Sequence, residues 1–312
     1  LIRFAAIAFL LLLPLVAIAE GFGLKQGGTG RVLVYGDSMS DLGNPTSCEW
    51  CDPLTDAGLQ VWAMSRGGRR SYYDPITDPA SWCVSATYLD CNLFGEYVMD
   101  YLDGECRVSE TRWSGDGGGS TCSQDLPHSA QDVDVIFLGV NDLRNVTVSS
   151  YLTTYLSQSI AAFNIMLNAS SSAGHAVVMV LGPPGFEITQ PDPLDTDAKL
   201  VILQTQLRFM CESRPKCVVA DVYSHYRDIE TKYGSQAMYD MYSNCDAGPG
   251  DTDCIHPIDG PTALGIMPND EMGEIILKAV YSAHEKRRVI EDVPVGGGSD
   301  WDSMTWDTDD WG

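Results

Sequence analysis

Residues 31–44 read RVLVYGDSMSDLGN. The run 31–35 is short, β-branched and mostly apolar, as a strand buried on both faces should be. Gly36 then permits a tight turn, and Ser38 stands just past the strand's carboxyl end. Three further runs have the same character: 133–138, 176–181 and 217–222. Between and after them, apolar residues recur at helical spacing. Leu93, Tyr97, Val98 and Leu102 make one face, and Tyr151, Tyr155, Ile160, Phe163 and Leu167 another. Leu200, Leu203, Leu207 and Met210 make a third, and Met272, Ile275, Ile276 and Val280 a fourth. Strands alternating with helices imply parallel pairing through crossover helices, hence an α/β fold: a three-layer α/β/α sandwich with a central parallel sheet. Ligands of such sheets bind beyond the carboxyl ends of the strands, where Ser38 lies. Residues 45–92 and 104–128, rich in Gly, Pro, Ser and Cys, read as long ordered loops over that edge.

The chain has 312 residues, 44% hydrophobic and 20% charged, with a formal net charge of −24. That is enough chain to bury a substantial core. So negative a surface repels phosphate backbones and anionic headgroups, so neither nucleic acid nor an anionic lipid surface is an expected partner. No stretch after residue 19 is long and apolar enough to cross a bilayer, so no stable membrane insertion is expected once residues 1–19 are cleaved, an uncleaved anchor being the alternative. Residues 1–19 combine Arg3, an apolar run and the small-x-small ending Ala17-Ile18-Ala19, the pattern of a secretory signal peptide. Ten cysteines agree with an extracellular, disulfide-forming protein, and the neighbours Cys211–Cys217 and Cys245–Cys254 are the expected pairs. Cys48-Glu49-Trp50-Cys51 has the spacing of half a zinc site, a weak metal signal without a second pair. Asn145-Val146-Thr147 and Asn168-Ala169-Ser170 are glycosylation sequons. The expected organisation is a signal peptide at 1–19, one domain at 20–288, and a disordered acidic tail at 289–312 carrying Trp301, Trp306 and Trp311.

Three motifs carry chemistry. A serine such as Ser38 is a weak nucleophile until a base takes its proton and another group orients that base. Asp253-Cys254-Ile255-His256-Pro257 supplies such a pair, because Asp and His three apart in a turn can lie side by side. His225, four residues after Asp221, is the rival base; Cys254 and Pro257 favour His256 by stiffening its loop. Gly139-Val140-Asn141-Asp142 follows the strand 133–138, so Asn141 can donate a hydrogen bond to an oxyanion formed at Ser38. There is no Gly-x-Ser-x-Gly elbow, no Gly-x-Gly-x-x-Gly turn after the first strand and no metal-ligand cluster, so no cofactor or metal is expected.

In this order and at this edge, YGDSMSDLGN (35–44), FLGVNDL (137–143) and DTDCIHP (251–257) resemble the GDSL esterase/lipase family, the SGNH hydrolases, over about residues 31–286. LGPPGFEITQP (181–191) resembles the family's proline-glycine loop more loosely, and Gly68-Arg69-Arg70-Ser71 a segment of its plant and fungal branch. The resemblance implies a flavodoxin-like SGNH hydrolase fold. It also implies a triad of Ser38, Asp253 and His256, and an oxyanion hole made by Ser38, Gly119 and Asn141. Gly119, within Gly118-Gly119-Ser120-Thr121, is the best match to the family's second-block glycine, with Gly68 as the fallback; the usual asparagine before that glycine is absent. The implied substrate is a carboxylic ester: an acylated carbohydrate, a small ester or a lipid. An acyltransferase using the same triad and a non-catalytic secreted binding protein are the alternatives.

Overall fold

In a computed structural model the described residues are 31–40, 48–63, 65, 71, 131–143, 147–185, 193–243 and 256–292. They contain a five-stranded sheet of β1 (Arg31–Gly36), β2 (Gln60–Ala63), β3 (Val133–Phe137), β4 (Ala176–Leu181) and β5 (Cys217–Asp221), in the order β2-β1-β3-β4-β5. Every pairing is parallel. The four strands read from sequence are β1, β3, β4 and β5, within one residue at each end.

The helices are α1 (Asp52–Asp56), α2 (Leu156–Ser172), α3 (Pro193–Glu212), α4 (Val222–Tyr233), α5 (Ser235–Tyr239) and α6 (Pro268–Asp292). A short turn, Val148–Ser150, and a π-helical turn, Tyr151–Tyr155, lead into α2. Successive strand residues point to opposite faces of a sheet, and the core divides accordingly. Leu33, Tyr35, Ile136 and Met179 join Phe163 and Met166 of α2 and Leu203 and Leu207 of α3. Val32, Val34, Val135 and Val178 join Trp50, Leu54 of α1, Tyr226 of α4 and Met272, Ile276 and Val280 of α6. Both faces are covered, which is why these strands are continuously apolar rather than alternating.

Two elements correct the sequence reading. Residues 45–92 are not all loop, because α1 and β2 lie within them. β2 has four residues and owes its strand conformation to pairing with β1, an edge position that leaves no pattern of its own. Residues 217–222 do not run to Val222 as a strand. Asp221 accepts a hydrogen bond from the Ser224 N–H at 3.0 Å and so caps α4, a helix absent from the sequence reading. The helix expected around 93–102 lies outside the described residues.

Cys48–Cys51 and Cys211–Cys217 are disulfides, and no described cysteine is free. The first replaces the half-zinc reading of that pair; Cys245–Cys254 lies outside the described residues. Among these residues no helix is long and apolar enough to cross a membrane, and no His, Cys, Asp or Glu group could hold a metal ion.

The edge of the sheet opposite Ser38 is fastened by a fully enclosed polar network. At the amino end of β1, Arg31 donates to Asp132 from Nη2 at 2.6 Å and Nε at 3.1 Å. His175, just before β4, meets Asp134 through Nδ1 at 3.0 Å, with Asp132 4.0 Å from its Nε2. Burial alone would lower the His175 pKa, but the Asp134 and Asp132 carboxylates outweigh it and hold it above 6.5. The native state therefore keeps a proton that the unfolded chain releases above 6.5. That stabilisation is complete below 6.5 and disappears as pH rises through the raised value. His175→Asn should cost about 3 kcal/mol or more near pH 6, the scale of breaking a buried ion pair, and less near pH 9. Thermal melts of both proteins at the two pH values test this; a gap independent of pH would mean that His175 is not charged.

Candidate active site

The strand order reverses at β1: the chain leaves it toward β2 on one side and toward β3 on the other. Loops diverging at such a switch point leave a crevice beyond the carboxyl ends. Ser38 and Asn141 follow β1 and β3 there, and the register Gly36↔Phe137 sets the two loops side by side.

The turn bearing Ser38 is held by its neighbours. Asp37 Oδ1 accepts the Met39 N–H at 3.0 Å, and the Asp37 carbonyl accepts the Ser40 N–H at 3.0 Å. These bonds take two consecutive amides and leave the Ser38 N–H without a partner among the described residues. Trp50, fully buried, donates from Nε1 to Ser40 Oγ at 3.0 Å. The Cys48–Cys51 disulfide brackets Trp50, so this bridge braces the floor of the Ser38 turn. Gly36 is needed for space rather than for its φ. A Cβ there would lie 2.7 Å from Ser40 Oγ and from Ser65 Oγ.

His256 Nε2 lies 2.7 Å from Ser38 Oγ, 218 residues away in sequence. Its backbone is clipped to the end of α5: the His256 carbonyl accepts the Ser243 N–H at 2.8 Å, and the Ile258 N–H donates to Met241 at 3.0 Å. Tyr242, bridged to Pro257, donates its buried hydroxyl to the Pro184 carbonyl at 2.6 Å. The rival His225 sits on α4 and meets Glu271 of α6 at 2.5 Å. Its supposed partner Asp221 instead caps α4 and pairs with Arg208. Asp253, Gly119 and the fallback Gly68 lie outside the described residues.

Asn141, 3% exposed, begins a 3-10 turn, Asn141–Leu143. Gly139 before it has φ +119°, which favours glycine, and a Cβ there would stand 2.7 Å from Leu203 Cδ2. Between this turn and Ser38 lies Asp37, 1% exposed, with Oδ2 making no hydrogen bond. Burial pushes its carboxyl up to about 7; the Met39 N–H, His256 and Asn141 pull it down and Asp142 pushes it up. Sequence alone assigns no role to Asp37 or Trp50. The signals were slight: an acid next to the serine, and a tryptophan between two close cysteines. An apolar pocket flanked by Asp37 and Met39 runs between the ends of β3 and β4 and α3, lined by Phe137, Leu138, Leu200 and Leu203.

No family model matches this chain, and no curated protein matches it. Solved structures similar to it include an aryl esterase from M. smegmatis, 14% identical, covering 81% of this chain and 99% of its own, with a TM-score of 0.48. The carbohydrate acetylesterase Est24 from Sinorhizobium meliloti is 15% identical over 81% of this chain and 99% of its own, with a TM-score of 0.46. A GDSL-like lipase from Bacteroides thetaiotaomicron is 13% identical over 86% of this chain and 96% of its own, with a TM-score of 0.43.

Asp37 has a consequence for stability. Between its ordinary value of 3.8 and about 7 the native state holds a proton that the unfolded chain has released. Stability therefore falls as pH rises through that window and stays reduced above it. Asp37→Asn keeps an acceptor for the Met39 N–H and removes the charge. It should raise the melting temperature near pH 8 and change it much less near pH 4; an equal shift at both would rule out a buried carboxylate as the cause.

Proposed function

We propose that the protein is a secreted serine ester hydrolase acting on carboxylic esters. The observation that carries this reading is the 2.7 Å approach of His256 Nε2 to Ser38 Oγ at the switch point of a parallel sheet. In the proposed reaction Ser38 Oγ attacks the ester carbonyl carbon while its proton passes to His256 Nε2. The tetrahedral intermediate collapses, and the departing alcohol takes that proton from His256. Water then attacks the acyl-enzyme, giving a proton to His256, and Ser38 recovers it as the acid leaves.

Asp253 would orient His256 and stabilise its protonated form. The N–H groups of Ser38 and Gly119 and the amide of Asn141 would bind the oxyanion, as the family resemblance implies. The Ser38 N–H, which has no partner among the described residues, and Asn141 on the loop after the neighbouring strand support the hole. Two disulfides and the apolar, Arg3-led start of the sequence support secretion.

Hydrolysis of p-nitrophenyl acetate and longer acyl esters tests the reading. Ser38→Ala should abolish turnover without lowering the melting temperature; turnover that survives would rule out Ser38 as the nucleophile. Asn141→Ala should lower kcat about 10²–10³-fold with KM nearly unchanged, because an oxyanion bond strengthens only in the transition state. An effect confined to KM would argue against the oxyanion role. Product analysis with an added alcohol separates hydrolysis from acyl transfer.

A further inference from the structure

Three buried polar residues from distant parts of the chain converge on the three-residue turn that begins with Asn141. Asp142 Oδ1 accepts the Ser71 N–H at 2.7 Å. Asp142 Oδ2 accepts the Ser159 hydroxyl of α2 at 2.9 Å, and the Ser71 hydroxyl also bonds to it. Lys199 of α3 donates from Nζ to the Leu143 carbonyl, the last of the turn, at 2.6 Å. Asp142, Lys199, Ser71 and Ser159 are all fully buried.

Placing an ammonium and a carboxylate inside a protein is expensive, and well-packed apolar residues in such places usually leave a fold as stable or more so. These groups do something an apolar side chain cannot: Asp142, the residue after Asn141, takes bonds from Ser71 and Ser159, and Lys199 bonds the Leu143 carbonyl one residue further on. The turn's own bonds, Asp142 N–H to Gly139 at 3.1 Å and Leu143 N–H to Val140 at 3.2 Å, set its shape. Asp142 and Lys199 then fix that shape to α2, α3 and the segment at Ser71.

We propose that Asp142 and Lys199 are positioning residues for Asn141. By tying the turn to its surroundings they keep the Asn141 amide aimed where the oxyanion develops, so no reorientation is needed in the transition state. Preorganisation of this kind is what makes an oxyanion donor effective. The proposal rests on the ester hydrolase reading above and adds residues outside the triad to it. Sequence alone offers no hint of Lys199, which sits on the apolar face of α3 among Leu200 and Leu203.

The test is a double-mutant cycle. Lys199→Met, Asp142→Asn and Ser159→Ala are each made in the wild-type protein and in the Asn141→Ala variant, with kcat, KM and melting temperature measured for all. In the wild-type protein each should lower kcat with little change in KM, Lys199→Met and Asp142→Asn by about 10-fold or more. In the Asn141→Ala variant the same changes should leave kcat within about twofold, because the group they aim is gone. Equal losses in both backgrounds would overturn the proposal and assign these residues to stability alone. Should Lys199→Met fail to fold, Ser159→Ala, which deletes one hydroxyl, still decides the outcome. If the wild type turns over and Asn141→Ala is equally fast, the oxyanion reading of Asn141 fails and the positioning role fails with it. If the wild type hydrolyses no ester, the hydrolase reading itself is what falls.

Discussion

The parallel ladder between β1 and β3 is the constraint on which the rest of the molecule depends. Its register, Val32↔Val133 through Gly36↔Phe137, brings together segments a hundred residues apart. The strands end side by side, so the loops that follow them must share one crevice. Everything proposed for the cleft needs that adjacency: the Ser38 hydroxyl, the Asn141 amide and the loop that delivers His256. The ladder is secured from behind, where Arg31, Asp132, Asp134 and His175 pair with one another at the amino ends of β1, β3 and β4. A shift in register would break that network and displace the cleft together.

The two edges of the sheet use buried charge differently. At the amino edge each buried charge faces an opposite one, and the carboxylates beside His175 hold its pKa above the ordinary histidine value. At the carboxyl edge Asp37 is buried with one oxygen unbonded, and its carboxyl is pushed up to about 7. A group held in that state costs stability, yet it organises the Ser38 turn through the Met39 N–H. Cleft residues of this kind are where stability and activity pull apart. The Trp50 indole, bracketed by the Cys48–Cys51 disulfide, offsets some of that cost by packing under the same turn; its ring stands 6.1 Å from Phe137.

Much of this was legible in the chain. Residues 31–35, 133–138, 176–181 and 217–222 announce buried strands because strands covered on both faces are mostly apolar on both, Arg31 and Asp134 being admitted only as paired charges. Ser38, Asn141 and His256 stood out because glycine turns and short polar motifs follow those strands or precede the last helix. The Cys211–Cys217 pair followed from closeness in sequence. Less visible were β2, whose four residues are a strand only by pairing with β1, and α4, whose cap Asp221 read as part of a strand. Sequence favoured His256 over His225 only through the stiffness of its loop, since each has an aspartate three or four residues before it.

Local pattern therefore determined which segments become strands and helices, and which residue types stand at strand ends. Those properties depend on neighbours within a few positions, and the sequence displays them directly. Tertiary structure decided which histidine meets Ser38, how the Ser38 turn is braced, and which groups the Asp142 and Lys199 side chains meet. Such choices are made by contacts between residues tens to hundreds of positions apart. A lone aspartate or lysine in a helix or turn looks the same whether it faces water or a buried carbonyl, and only packing around it settles which.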